Sequence, residues 1–83
     1  MASDAIYERL TDILRDVFDD DAITARPDLT AADVPDWDSL AHLRVMFNVE
    51  KAFGVKFAAA EIARLENVGE LAALIEAKAA RDR

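Results

Sequence analysis

An all-α fold is predicted: a small four-helix bundle, three main helices and one short one, with a long loop between the first and second. Three observations predict it. The 83 residues hold only two glycines and two prolines, while good helix formers such as Ala, Leu, Glu and Arg are abundant. Apolar residues recur at three- and four-residue spacing in separate segments. Turn-forming residues crowd into one stretch, Asp19 to Asp38. A chain of this length makes one domain, residues 1–83, and buries only about 60% of the surface its unfolded form exposes.

The first helix is expected from Ser3 to Phe18. Ser3 can cap it, and Asp4 suits the positive end of the helix dipole. Ile6, Leu10, Ile13, Leu14 and Val17 share one face, and Arg9, Asp12, Arg15 and Asp16 the other. The connection that follows carries Asp19-Asp20-Asp21, Arg26-Pro27-Asp28 and Val34-Pro35-Asp36, with Ile23, Leu29 and Val34 as anchors onto the core. Loops of that length are uncommon in compact domains and are often functional. A calcium loop starting at Asp19 would need Gly at its sixth position and Glu at its twelfth. Thr24 and Thr30 stand there, so calcium is not expected.

The second helix is expected from Ser39 to Phe53, with Leu40, Leu43, Met46, Phe47 and Phe53 as an apolar stripe and Gly54 as a left-handed cap. Val55-Lys56-Phe57 is a short connector. A short third helix, Ala59 to Leu65, turns Ile62 and Leu65 inward. The fourth opens on a capping-box pattern, Asn67-Val68-Gly69-Glu70, continues through Leu71, Leu74 and Ile75, and frays from Lys78 to Arg83.

Composition excludes several classes of function. There is no cysteine, which rules out a disulfide or a thiolate-held metal, and one histidine cannot build a His-rich metal site; no metal is expected. The net charge is −7, with eleven acids and three bases in residues 1–38 against six acids and seven bases in residues 39–83. Such a chain repels nucleic acid and anionic membrane and suits basic protein partners, although acid also simply keeps a small domain soluble. No apolar run approaches the ~20 residues of a membrane span, and no signal peptide is visible. A soluble cytoplasmic monomer is expected.

The chemically informative segment is Val34-Pro35-Asp36-Trp37-Asp38-Ser39-Leu40. Ser39 opens an amphipathic helix at the end of a long loop. Its hydroxyl would lie beside unpaired backbone N–H groups, where the helix dipole favours a phosphate. Asp38 could bind a divalent cation while such a group is attached. The plain alternative is that Asp38-Ser39 does nothing beyond capping, since Ser and Asp are common N-caps. A hydrolytic triad of Ser39, His42 and Asp38 is excluded, because adjacent Asp38 and Ser39 leave no room for a base between them. No catalytic residue is assigned, and no enzyme is expected.

Asp38-Ser39-Leu40, a helix ending in Phe53-Gly54, the stretch from Glu50 to Phe57 and the string Glu66-Asn67-Val68-Gly69-Glu70-Leu71 together resemble the acyl carrier protein family over nearly the whole chain. The resemblance implies a cofactor, 4′-phosphopantetheine, joined covalently to Ser39 from coenzyme A by a Mg²⁺-dependent phosphopantetheinyl transferase, with Asp38 and Leu40 beside it. The arm's thiol would then hold acyl or aminoacyl groups as thioesters. Implied partners are that transferase, an acyl- or aminoacyl-activating ligase and acyl-transferring enzymes. Trp37, Arg44, Glu50 and Lys51 are the implied partner-binding residues.

Asp36-Trp37 stands where fatty-acid-synthesis carriers usually have small residues, so the string through His42-Leu43 looks more like discrete carriers of specialised pathways. Trp37 could equally pack the loop onto the bundle. His42, about one turn after Ser39, could face the arm or be a solvated helix residue. Arg44 and Lys51 stand where family members commonly have acids; they could set partner choice or merely pair with nearby acids. An unmodified helical protein–protein interaction domain of the same fold is the alternative function.

Overall fold

The computed structural model describes residues 4–81 and forms four α-helices along them: α1 (Asp4–Phe18), α2 (Ser39–Phe53), α3 (Ala59–Arg64) and α4 (Val68–Arg81). A single 3₁₀ turn, Ala31–Asp33, interrupts the long connection. The expected cap Ser3 and the last residues, Asp82 and Arg83, lie outside the described residues. α1 packs against both α2 and α4.

The face expected of α1 is the one that packs. Leu10 and Leu14 are fully buried, with Ile6, Ile13 and Val17 at the margin of the core. Each fully buried leucine stabilises the fold by about 1.5–3 kcal/mol relative to an exposed one. The polar face also ties elements together. The Arg9 guanidinium donates to the Ala52 carbonyl at 2.8 Å and stacks over the Phe53 ring, fastening α1 to the end of α2. Arg15 donates to the Ile23 carbonyl at 2.7 Å and holds the start of the loop. α1 stops at Asp19, whose φ of 51° is left-handed, a conformation that Asp tolerates better than most residues.

The connection is ordered by its anchors. Ile23, Leu29 and Val34 are buried as expected, and Ala25 joins them. The Ala25 N–H donates to Thr11 Oγ1 at 2.9 Å. Two loop carbonyls accept from the start of α4: Val68 N–H donates to Leu29 and Gly69 N–H to Pro27, at 2.9 and 3.0 Å. That close approach explains Gly69. A Cβ there would sit 2.8 Å from the Pro27 carbonyl oxygen, a backbone atom that cannot swing aside. Gly69→Ala is therefore expected to destabilise the fold by about 1–3 kcal/mol through overpacking, outweighing the gain of roughly 1 kcal/mol in helix propensity. Urea unfolding of the two proteins measures the balance.

Two features depart from the expected pattern. α2 buries Val45, Met46 and Val49, whereas Leu40, Leu43 and Phe47 are 62%, 46% and 64% exposed. By the helical period these sets lie on opposite sides of α2. The helix is apolar on two faces, and only packing against α1 selects the inner one. At the other end of the chain, α4 does not fray at Lys78 but continues to Arg81. Lys78 Nζ pairs with Glu61 at 2.9 Å and lies over the Phe57 ring, so α3 and its connector hold it in place.

The caps follow the expected residues. Gly54 ends α2 at φ 66°, and its N–H donates to the Glu50 carbonyl. At α4, Asn67 Oδ1 accepts from the Glu70 N–H at 2.8 Å, while Glu70 Oε1 accepts from the Glu66 N–H at 2.7 Å. The reciprocal bond of the capping box thus falls one residue earlier than the pattern Asn67 to Glu70 suggests.

Candidate functional site

The long loop delivers the chain to α2 through buried Val34, whose carbonyl accepts from the Trp37 N–H at 3.0 Å. Asp38 is extended, with φ −102° and ψ −172°, and its Oδ1 accepts from the Ala41 N–H at 2.8 Å. Asp38 alone is the N-cap. Ser39 is the first residue of the helix and is exposed. Its hydroxyl has no part in the cap, so capping explains Asp38 and leaves Ser39 unexplained. Among the described residues the N–H groups of Ser39 and Leu40 have no partner. An exposed hydroxyl beside two unpaired donors at a helix N-terminus accommodates a phosphate ester.

Trp37 and His42 are joined rather than solvated. The Trp37 ring lies 5.3 Å from the Phe18 ring, centroid to centroid, and both residues are half-buried. The indole N–H donates to His42 Nδ1 at 3.2 Å. Indole can only donate, so Nδ1 must accept and the imidazole proton sits on Nε2. Nε2 then donates to the Ile62 carbonyl on α3, at 3.1 Å. Loop, α2 and α3 are thus linked by two hydrogen bonds running through one neutral imidazole.

An open cleft of about 630 Å³ lies between the first turn of α2 and the last turn of α3; Ser39, Asp38, Leu43 and Ala63 are on its walls. Next to it is a smaller, partly open pocket of about 60 Å³, where Leu29, Met46, Val68 and Leu71 meet the polar Thr30, Glu66 and Asn67. Trp37 and His42 line both spaces, with Ala31 and Leu65.

The remaining residues singled out from the sequence divide by environment. Leu40, Arg44 and Lys51 are exposed on the outer side of α2, on the same side as Leu43 and Phe47. Among the described residues neither Arg44 nor Lys51 forms an ion pair. Glu50 is half-buried, and its Oε2 accepts from the Phe57 N–H at 2.8 Å, which fixes the connector to α3. Sequence reasoning did not identify the Ile62 carbonyl as a partner of His42, and it grouped the exposed Leu40, Leu43 and Phe47 with the buried Met46 in one apolar stripe. The signal available for the second point was the pair of apolar faces on α2. Among the described residues no group of three or more His, Asp or Glu side chains could hold a metal ion.

This chain is similar to a holo acyl carrier protein from Geobacter metallireducens, whose solution structure was determined by NMR. The TM-score is 0.87 and the identity 42%, over 93% of this chain and 88% of that one. No protein-family model and no curated protein matches. At that identity and coverage the class is a carrier protein rather than an enzyme. The chain belongs to the acyl carrier protein family. Among the described residues no helix is long and apolar enough to cross a membrane.

Proposed function

We propose that this chain is a single-domain cytoplasmic carrier of acyl or aminoacyl groups, held as thioesters on a 4′-phosphopantetheine arm attached to Ser39. The observation that carries the reading is the exposed Ser39 hydroxyl at the first position of α2, free of the cap that Asp38 provides. The surroundings fit the group: two unpaired N–H donors for its phosphate and an open cleft beside its attachment atom. When bound, the arm supplies the thiol that this cysteine-free chain lacks. The protein's own part is to hold Ser39 at a fixed, accessible point and to present a surface to partners. Tethering then raises the effective concentration of cargo at each partner's active site.

The partners that fit are a phosphopantetheinyl transferase, using Mg²⁺ during attachment, an activating ligase and acyl-transferring enzymes. Their docking surface is the outer side of α2, where Leu40, Leu43 and Phe47 form an apolar stripe with Arg44 and Lys51 beside it. Trp37 supports that surface from the loop, and Glu50, on α2 itself, ties it to the connector through Phe57. The same stripe would serve an unmodified interaction domain, and one experiment separates the two. Incubation with coenzyme A and a broad-specificity transferase should raise the intact mass by a single phosphopantetheine. An unchanged mass would favour the unmodified domain.

A further inference from the structure

We infer that Trp37 and His42 are positioning residues for arm attachment: their side chains close a staple around residues 38–41 that holds Ser39 in helical geometry before a transferase arrives. The inference rests on the Ser39 reading above. Ser39 has nothing of its own to hold it. Its side chain and its N–H are without partners among the described residues, as is the Leu40 N–H. The first residues of a helix fray, because they lack the hydrogen bonds of later turns.

Two closures span this first turn. The inner one is the Asp38 cap on the Ala41 N–H, at an exposed place where water competes. The outer one is the Trp37 indole N–H on His42 Nδ1, at 3.2 Å and half-buried. Its two ends are anchored on other elements. The Trp37 ring rests on Phe18 of α1, and His42 Nε2 donates to the Ile62 carbonyl of α3. That second bond keeps the proton on Nε2 and leaves Nδ1 to accept. Breaking the staple orphans an indole N–H in a half-buried place, which opposes fraying more than an exposed cap does. A transferase that docks on the first turn of α2 therefore meets that turn already formed. Without the staple, docking has to order it, and the cost falls on binding and not on the chemical step. In that step Ser39 Oγ bonds the phosphorus nearer the pantetheine, the pyrophosphate P–O bond breaks, the adenosine bisphosphate leaves and the hydroxyl proton is released.

The test measures transferase kinetics on the full chain, with coenzyme A saturating and intact mass as the readout. His42→Leu should raise KM for the carrier about three- to tenfold, the worth of one hydrogen bond, with kcat unchanged. Two amides divide the contacts of His42. Asparagine places its oxygen where Nδ1 stands and accepts from Trp37 without reaching Ile62. Glutamine places its nitrogen where Nε2 stands and reaches Ile62 without accepting from the indole. His42→Asn should therefore keep the wild-type KM, and His42→Gln should match His42→Leu. Trp37→Phe removes the N–H and keeps a ring against Phe18. It should raise KM as His42→Leu does, and it serves if that variant does not fold. Gly69→Ala, weakened at the start of α4, should keep the wild-type KM, which separates positioning from a general loss of stability. Equal KM for wild type, His42→Leu and Trp37→Phe overturns the staple. So do equal values for His42→Asn and His42→Gln, or a KM for Gly69→Ala that rises as far as theirs. A wild-type mass that does not shift overturns the Ser39 reading and the staple with it; an attached arm with any of those patterns overturns the staple alone.

Discussion

Ser39→Ala should abolish arm attachment while leaving the fold intact, and Asp38→Ala should do nearly the reverse to stability. Ser39 is exposed and outside the cap. Alanine is a better helix former than serine, and exposed substitutions away from special features usually stay within about ±0.5 kcal/mol. The melting temperature of Ser39→Ala should therefore equal that of wild type, with no mass gain on incubation with coenzyme A and transferase. Asp38 accepts from the Ala41 N–H at 2.8 Å, and its loss orphans a helix donor. That costs about 0.5–2 kcal/mol. In a domain of this size about 1 kcal/mol corresponds to roughly 4–8 °C in melting temperature. Equal labelling of Ser39→Ala would move the attachment point elsewhere. A Ser39→Ala protein that melts well below wild type would show that the serine does structural work the geometry does not reveal.

The division of labour between these adjacent residues marks the limit of what the sequence makes legible. Asp38-Ser39 reads as two candidate caps, and only coordinates assign the cap to the first. Local features were legible because local chemistry determines them. The spacing of Leu10 and Leu14 gives the inner face of α1, Gly54 gives the end of α2, and Ile23, Leu29 and Val34 give the loop anchors. What escaped depends on distant neighbours. α2 carries apolar residues on both sides, and periodicity alone does not say which side meets α1. His42 finds its acceptor on Ile62, twenty residues away. Lys78 is held by Glu61 and Phe57 of a different element, which is why α4 continues past the point where its own sequence suggests fraying. The outer stripe of Leu40, Leu43 and Phe47 is the instructive case. Residues that look like core by pattern form the proposed partner surface because the core on that helix is already filled by Val45, Met46 and Val49.

That surface leads to a second large effect, on partner choice. Arg44 and Lys51 lie on the same side of α2 as the stripe and have no ion-pair partner among the described residues, so their charges are available to whatever docks. Fatty-acid-synthesis enzymes that receive acidic carriers through basic patches would meet two cations here. Like charges slow encounter and disfavour a wrong partner more than they alter the docked contact. Arg44→Glu combined with Lys51→Glu should raise acyl transfer by such an enzyme, on the order of tenfold at low salt, within the range that electrostatic steering commands. The helix should survive the change, since Glu, Arg and Lys have similar helix propensities. Replacing both cations shifts the net charge from −7 to −11, four units more acidic, so part of any gain could reflect the overall field rather than the two sites. Lys56→Glu with Arg64→Glu, at exposed positions outside α2, makes the same total change and serves as the control. Transfer rates of the three loaded carriers, compared at low and high ionic strength, decide the point. A gain confined to the α2 pair, shrinking as salt shortens the Debye length from about 30 Å at 0.01 M to 3 Å at 1 M, assigns partner choice to Arg44 and Lys51. Equal gains from both pairs would assign it to net charge alone, and equal rates throughout would leave both cations incidental to the surface.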